Sequence, residues 1–139
     1  MNLEQQDKQY VLQTYARDYT NFVKGMGSTL YDDQGKDYID FASGIAVNSV
    51  GHNHPKLVEA ICNQAKNIIH ISNLQVIEPQ AKLAQKMVEL SGYDMGVFFA
   101  NSGAEANEGA IKIARKYGET KFENKRYKVI TLEHSFHGR

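Results

Sequence analysis

Two short stretches of this chain carry groups that could hold a reactive small molecule. The first is Asn101-Ser102-Gly103-Ala104, inside FFANSGAEANEGAIKIARKY. An apolar run over 96–100 stops at this turn and a helical pattern begins at once. The first N–H groups of a helix lack intrahelical acceptors and sit at the positive end of its dipole, so a turn of this kind favours an anion such as phosphate. Gly103 lets the backbone approach a ligand with no Cβ in the way, and Ser102 adds a hydroxyl donor. The plainer reading of the same residues is a helix cap, with Ser102 at the N-cap and Glu105 at N3 in a capping box. Neither the GxGxxG pattern nor the GxxxxGKS/T pattern is present, so the turn is not a dinucleotide fingerprint or a Walker loop.

The second stretch is HSFHGR, residues 134–139, which follows another apolar run over 128–132. Phe136 offers a ring to stack on a flat ligand. Arg139 offers a planar fork for a carboxylate. His134 and His137 offer acid–base chemistry near neutral pH. A polar loop with one buried Phe explains the same letters without a ligand. His52 and His54 stand two apart in GHNHP, as a metal half-site would, but no second cluster of Cys, His and acidic residues accompanies them. A turn that launches a helix at Pro55 is the simpler account. Cys62, beside Ile61, reads as a small buried hydrophobe, and Asp32-Asp33 as turn chemistry. No Ser/His/Asp or Cys/His arrangement and no glycosidase-like carboxylate pair is recognisable.

The elements that must position these residues follow from periodicity. A weak apolar face predicts a helix over 4–19. Leu30, Tyr31, Tyr38, Ile39 and Phe41 predict short antiparallel strands joined at Asp32-Asp33-Gln34-Gly35. Leu57, Val58, Ile61, Ala65, Ile68 and Ile69 recur at helical spacing after Pro55. A further helix is predicted over 79–90, with Ala81, Leu83, Ala84, Met87 and Val88 as its buried stripe and Ser91-Gly92 as its C-cap. The continuous apolar runs 96–100 and 128–132 predict strands buried on both faces, flanking a helix over 104–117. Strand, helix, strand is a βαβ unit, which implies a parallel sheet; ligands bind beyond the carboxyl ends of such strands, where both stretches lie.

Composition narrows the class. The 139 residues are 42% hydrophobic and 23% charged, enough for one globular domain with a core. Lys plus Arg is 16 and Asp plus Glu is 16, so no basic excess points to nucleic acid or an anionic membrane surface. A single cysteine forbids an intrachain disulfide and fits a reducing compartment. No signal core or membrane-length apolar run is present, which predicts a cytoplasmic protein. The halt at Gly138-Arg139, directly after a strand-like run, predicts that the chain is a portion of a longer protein.

Taken together, FVKGMGSTLYDDQGKDYIDFASGIAVNSVGHNHPKLVEAI, then FFANSGAEANEGAIKIARKY, then SFHGR resemble the class III aminotransferases, which are fold-type-I enzymes that use pyridoxal phosphate. The resemblance runs from about Tyr15 to Arg139. It implies an α/β fold: a small N-terminal α+β segment over 1–76, then, over 77–139, the start of a mostly parallel-sheet large domain that binds the cofactor. It implies that the backbone at Gly103 and Ala104 cradles the cofactor phosphate with Ser102 beside them, that Phe136 stacks on the pyridine ring, and that Arg139 binds the substrate carboxylate. The family's Schiff-base lysine, and the Asp that pairs with the pyridine nitrogen, have no matching position here. Lys112, Lys116 and Lys128 lie outside the lysine's context, so no catalytic residue is carried over and this portion is expected to be inactive alone. The implied reaction moves the terminal amino group of N2-acetyl-L-ornithine to 2-oxoglutarate, in arginine biosynthesis, with succinyldiaminopimelate as a further donor. Ornithine and 4-aminobutyrate are the alternative donors; members acting on ornithine carry an aromatic near Ile45. An alternative of another class is a non-catalytic phosphate-binding module. The family also implies a homodimer, with the N-terminal segment and Ser72-Asn73-Leu74 as interface pieces.

Overall fold

The computed structural model describes residues 1–123 and 125–139. The chain divides into two units, Met1–Ile71 and Ser72–Arg139. The division falls a few residues before the expected boundary at 76/77.

In the first unit, helix α1 spans Leu3–Tyr10. The Asn2 side chain accepts the Gln5 N–H at 2.9 Å, and the Gln5 side chain accepts the Asn2 N–H at 3.0 Å, a capping box. The helix predicted to reach residue 19 stops at Tyr10, because Val11 is extended (φ −104°, ψ 131°). Every residue from Val11 to Ala16 is exposed, so no packing carries the helix past the β-branched Val11 and Thr14. The Gln13 amide instead donates to the carbonyls of Asp7 and Val11, at 3.0 and 2.7 Å.

Strands β1 (Phe22–Met26), β2 (Thr29–Asp32) and β3 (Asp37–Ile39) form an antiparallel sheet in that order. Met26 pairs with Thr29 and Leu30 with Tyr38, with an irregularity between Phe22 and Lys24. The predicted turn joins β2 to β3, and it is built on Asp32. That carboxylate is buried and accepts from the N–H groups of Gln34 and Lys36 and from the Tyr38 hydroxyl, each at 2.9 Å. Burial alone would push the Asp32 carboxyl up. The Lys36 N–H, the Tyr38 hydroxyl, the Gln34 N–H and the Lys36 charge outweigh it and hold the group below the ordinary carboxylate range.

After the sheet, α2 (Ser43–Ala46) is a single left-handed turn. All four residues have positive φ: 48° at Ser43, 62° at Gly44, 59° at Ile45 and 64° at Ala46. Helix α3 (Pro55–Asn67) starts with Pro55 in its first turn, as predicted. Ahead of it, His52 forms an antiparallel bridge with Gly27, the glycine of the β1–β2 turn.

In the second unit, α4 spans Glu78–Ser91 and ends on Gly92 in the left-handed region (φ 70°), the expected glycine cap. Helix α5 runs over Gly103–Lys121, four residues beyond the predicted end at 117. The exposed ring of Phe98 lies against α5 at Gly109, where an added Cβ would come within 2.8 Å of the ring.

Three expectations need correcting. The runs 96–100 and 128–132 form no strand ladder, and the described residues contain no parallel sheet. A strand buried on both faces needs hydrogen-bonding neighbours, and these two segments do not pair with each other. The apolar stripe of α4 is not buried: Ala84 and Val88 are half-covered, while Ala81, Leu83 and Met87 are exposed. Cys62 is exposed as well, because none of the described residues covers the apolar side of α3. The common cause is visible in the total accessible surface of 12574 Å². Two separate compact domains sharing the mass of 15.7 kDa would show about 8,800 Å². No hydrophobic side chain among the described residues is buried.

Candidate functional site

The site grows from the first turn of α5. Ser102 is its N-cap, with extended backbone (φ −151°, ψ 163°), and its Oγ accepts the Glu105 N–H at 3.2 Å. The Glu105 carboxylate accepts the Asn101 N–H at 2.7 Å. The expected capping box is therefore present in a shifted form, closing one residue before the cap. Among the described residues, the N–H groups of Gly103 and Ala104 have no acceptor. They stand at the positive end of a 19-residue helix. A Cβ added to Gly103 would meet nothing within 4 Å, so the space beside it is open.

The segment 134–139 is folded onto this same end of α5. Asn107 donates from Nδ2 to the His137 carbonyl at 2.8 Å. His137 Nε2 lies 3.0 Å from the Glu108 carboxylate. Gly138 rests on the helix: with φ 104°, an added Cβ there would stand 2.6 Å from the Ala104 nitrogen and 3.0 Å from its Cα. Only glycine suits that conformation and that approach. The two stretches singled out from the sequence thus meet, through helix contacts rather than through neighbouring strand ends.

Phe136 is 86% exposed, contrary to the plain reading of a buried loop Phe. Arg139 is exposed and has no carboxylate partner among the described residues. A bare ring and an uncommitted guanidinium therefore flank a peptide that is tied down at His137 and Gly138. This donor set fits a flat, anionic ligand: two free N–H groups and a hydroxyl for a phosphate, a ring face, and a fork for a carboxylate.

His52 and His54 have different surroundings. His52 Nε2 contacts the Asp40 carboxylate at 2.6 Å, while His54 is the N-cap of α3. Among the described residues no three of His, Cys, Asp and Glu gather to hold a metal. No helix described is long and apolar enough to cross a membrane.

Three residues escaped the reading of the sequence: Asn107, Glu108 and Gly138. A signal for the first two was present. They lie three and four positions after Ala104, so a helix capped at Ser102 stacks them behind the Ser102–Ala104 turn. The contact at Gly138 is non-local and left no such trace.

A family model described as Aminotransferase class-III matches residues 13–139. The chain is 69% identical over 134 residues to an acetylornithine aminotransferase of Wolinella succinogenes, covering 96% of this chain and 34% of that protein. It resembles the crystal structure of N-acetylornithine aminotransferase from Stenotrophomonas maltophilia K279a, with TM-score 0.71 and 41% identity, over 78% of this chain and 30% of the other. It also resembles an ornithine aminotransferase from Toxoplasma gondii with partial occupancy of PLP at its active site, with TM-score 0.78 and 38% identity, over 84% of this chain and 27% of the other. The chain spans about a third of the length of the curated relatives it matches.

Proposed function

Because the chain belongs to the class III aminotransferases, we propose that the complete protein moves the terminal amino group of N2-acetyl-L-ornithine to 2-oxoglutarate, a step of arginine biosynthesis. The observation that supports this reading most is the 69% identity over 134 residues to an acetylornithine aminotransferase. Succinyldiaminopimelate is a second donor in the same proposal. The protein is read as a cytoplasmic homodimer, and 77–139 as the beginning of its cofactor-binding domain.

Pyridoxal phosphate, when bound, supplies an electron sink for the exchange of amino and oxo groups. The roles of this chain's residues are binding and orientation. The N–H groups of Gly103 and Ala104, with the Ser102 hydroxyl, would hold the phosphate at the positive end of α5. Phe136 would cover one face of the pyridine ring. Arg139 would bind a substrate carboxylate through two parallel N–H donors, which fixes the orientation of the substrate as well as its charge. The lysine that joins the cofactor has no counterpart among these residues, so residues 1–139 alone are read as inactive.

The test is a coupled transamination assay on the complete protein, with acetylornithine, ornithine and 4-aminobutyrate measured side by side against 2-oxoglutarate. The highest kcat/KM is expected for acetylornithine. A higher value for ornithine or 4-aminobutyrate overturns the choice of donor.

A further inference from the structure

Segment 134–139 carries two groups of the proposed site, Phe136 and Arg139, and neither is held by its own side chain. Phe136 is 86% exposed, and Arg139 has no ionic partner among the described residues. What fixes them is the backbone between them. The His137 carbonyl receives the Asn107 amide at 2.8 Å, and the His137 ring meets Glu108 at 3.0 Å. Gly138 lies directly against Ala104, one of the two residues at the start of α5 whose N–H groups have no acceptor among the described residues. These contacts join residues about thirty positions apart in sequence, and all of them end on the first two turns of one helix.

We propose that Asn107 is a positioning residue. Its side-chain amide latches the His137–Gly138 peptide to α5, and so sets the place of Phe136 and Arg139 relative to the N–H groups of Gly103 and Ala104. Glu108 is a second clasp on the same residue. The inference rests on the aminotransferase reading for its consequence but not for its geometry. The two contacts are not equivalent. A neutral amide-to-carbonyl bond needs a donor at residue 107, and Asp in place of Asn offers only an acceptor there at neutral pH while keeping the shape. Gln in place of Glu108 keeps a partner for the His137 ring, and Ala keeps none.

The experiment compares Asn107→Asp, Asn107→Ala, Glu108→Ala and Glu108→Gln with the wild-type complete protein. One readout is the backbone 15N order parameter over 134–138. The other is the pair of pyridoxal phosphate affinity and KM for 2-oxoglutarate. Loss of the bond to the His137 carbonyl predicts order parameters that fall from about 0.85 toward about 0.6 at 136–138 in both Asn107 variants. The same loss predicts cofactor affinity weaker by about fivefold and a KM raised by a similar factor, with kcat moved less. Glu108→Gln should stay near wild type where Glu108→Ala does not. Unchanged order parameters in both Asn107 variants overturn the latch. Lower order parameters with unchanged cofactor affinity and unchanged KM overturn the positioning role. A wild-type protein that binds no pyridoxal phosphate overturns the aminotransferase reading, and the order-parameter comparison then still decides the latch.

Discussion

His52 Nε2 stands 2.6 Å from Asp40 Oδ2, and this pair joins the end of the sheet to the segment that launches α3. The other oxygen of Asp40 accepts the N–H groups of Ala42 and Ser43, at 3.0 and 2.8 Å. One carboxylate thus holds the entry to the left-handed turn α2 with one oxygen and His52 with the other. His52 itself lies so close to β1 that a Cβ on Gly25 would come within 2.7 Å of its side chain.

Removing that carboxylate should destabilise the protein in a pH-dependent way. The hydrogen bond from His52, then the Ser43 N–H, hold the Asp40 carboxyl below its ordinary value of 3.8, against a smaller opposing effect of burial. Folding lowers this pKa, so the stability it contributes is fully present above the unfolded value and is lost as pH falls through the folded one. Asp40→Asn is expected to unfold at lower temperature than wild type at pH 7, with the gap narrowing below about pH 4. Thermal unfolding at pH 7 and pH 3 measures it. An equal gap at both values would show that the charge of Asp40 is irrelevant.

Ser102→Ala removes the cap of α5 and leaves the Glu105 N–H without its acceptor. The expected loss is about 0.5–2 kcal/mol in denaturant unfolding, with Ser102→Gly costing only a few tenths. If Ser102 also binds the cofactor phosphate, both variants should weaken pyridoxal phosphate binding alike, since both lack the hydroxyl. Stability and binding then separate in the Gly variant. Equal cofactor affinity in Ser102→Gly and wild type would confine Ser102 to capping.

Gly118, near the end of α5, is the other buried residue beside Asp32 among the described residues, and the Arg126 carbonyl occupies the place a side chain would take. Gly118→Ala should therefore destabilise by about 1–3 kcal/mol through overpacking, although alanine is the better helix former. A urea midpoint at or above wild type would mean that the loop after α5 moves aside without cost.

Arg139→Lys keeps the charge but loses the planar fork. The expected result in the complete protein is a KM for 2-oxoglutarate raised by about tenfold, and more for Arg139→Ala, with a smaller change in kcat. Parallel losses in kcat and in cofactor affinity, with KM unaltered, would assign Arg139 a different task.

What the sequence made legible was local. Asp32 with Gly35, Pro55, Gly92 and the Ser102 cap each act over a few residues, and each stands where the turn or cap chemistry puts it. Features that depend on distant partners were misread. The runs 96–100 and 128–132 have the composition of buried strands, but composition does not supply the neighbours a ladder needs. Met87 and Leu83 have the spacing of a core stripe, yet remain 44% and 52% exposed for want of a surface to cover them. In the site, residue types at 102–104, 136 and 139 were readable, but the means by which 134–139 reaches α5 was not. The Asn107 amide and the Gly138 contact exist only once the chain has folded back.

The turn α2 has a further consequence, for which sequences this fold tolerates. Left-handed backbone is strained for any residue with a Cβ, by about 1–2 kcal/mol, and least so for Asn and Asp among them. Three of the four positions, Ser43, Ile45 and Ala46, carry other side chains. At Ile45 the residue is also β-branched and 94% exposed, so neither backbone preference nor burial favours it there. A chain optimised for folding alone would place Gly or Asn at 45. Ile45→Gly and Ile45→Asn are therefore expected to relieve strain at this turn and leave the rest of the unit as it is.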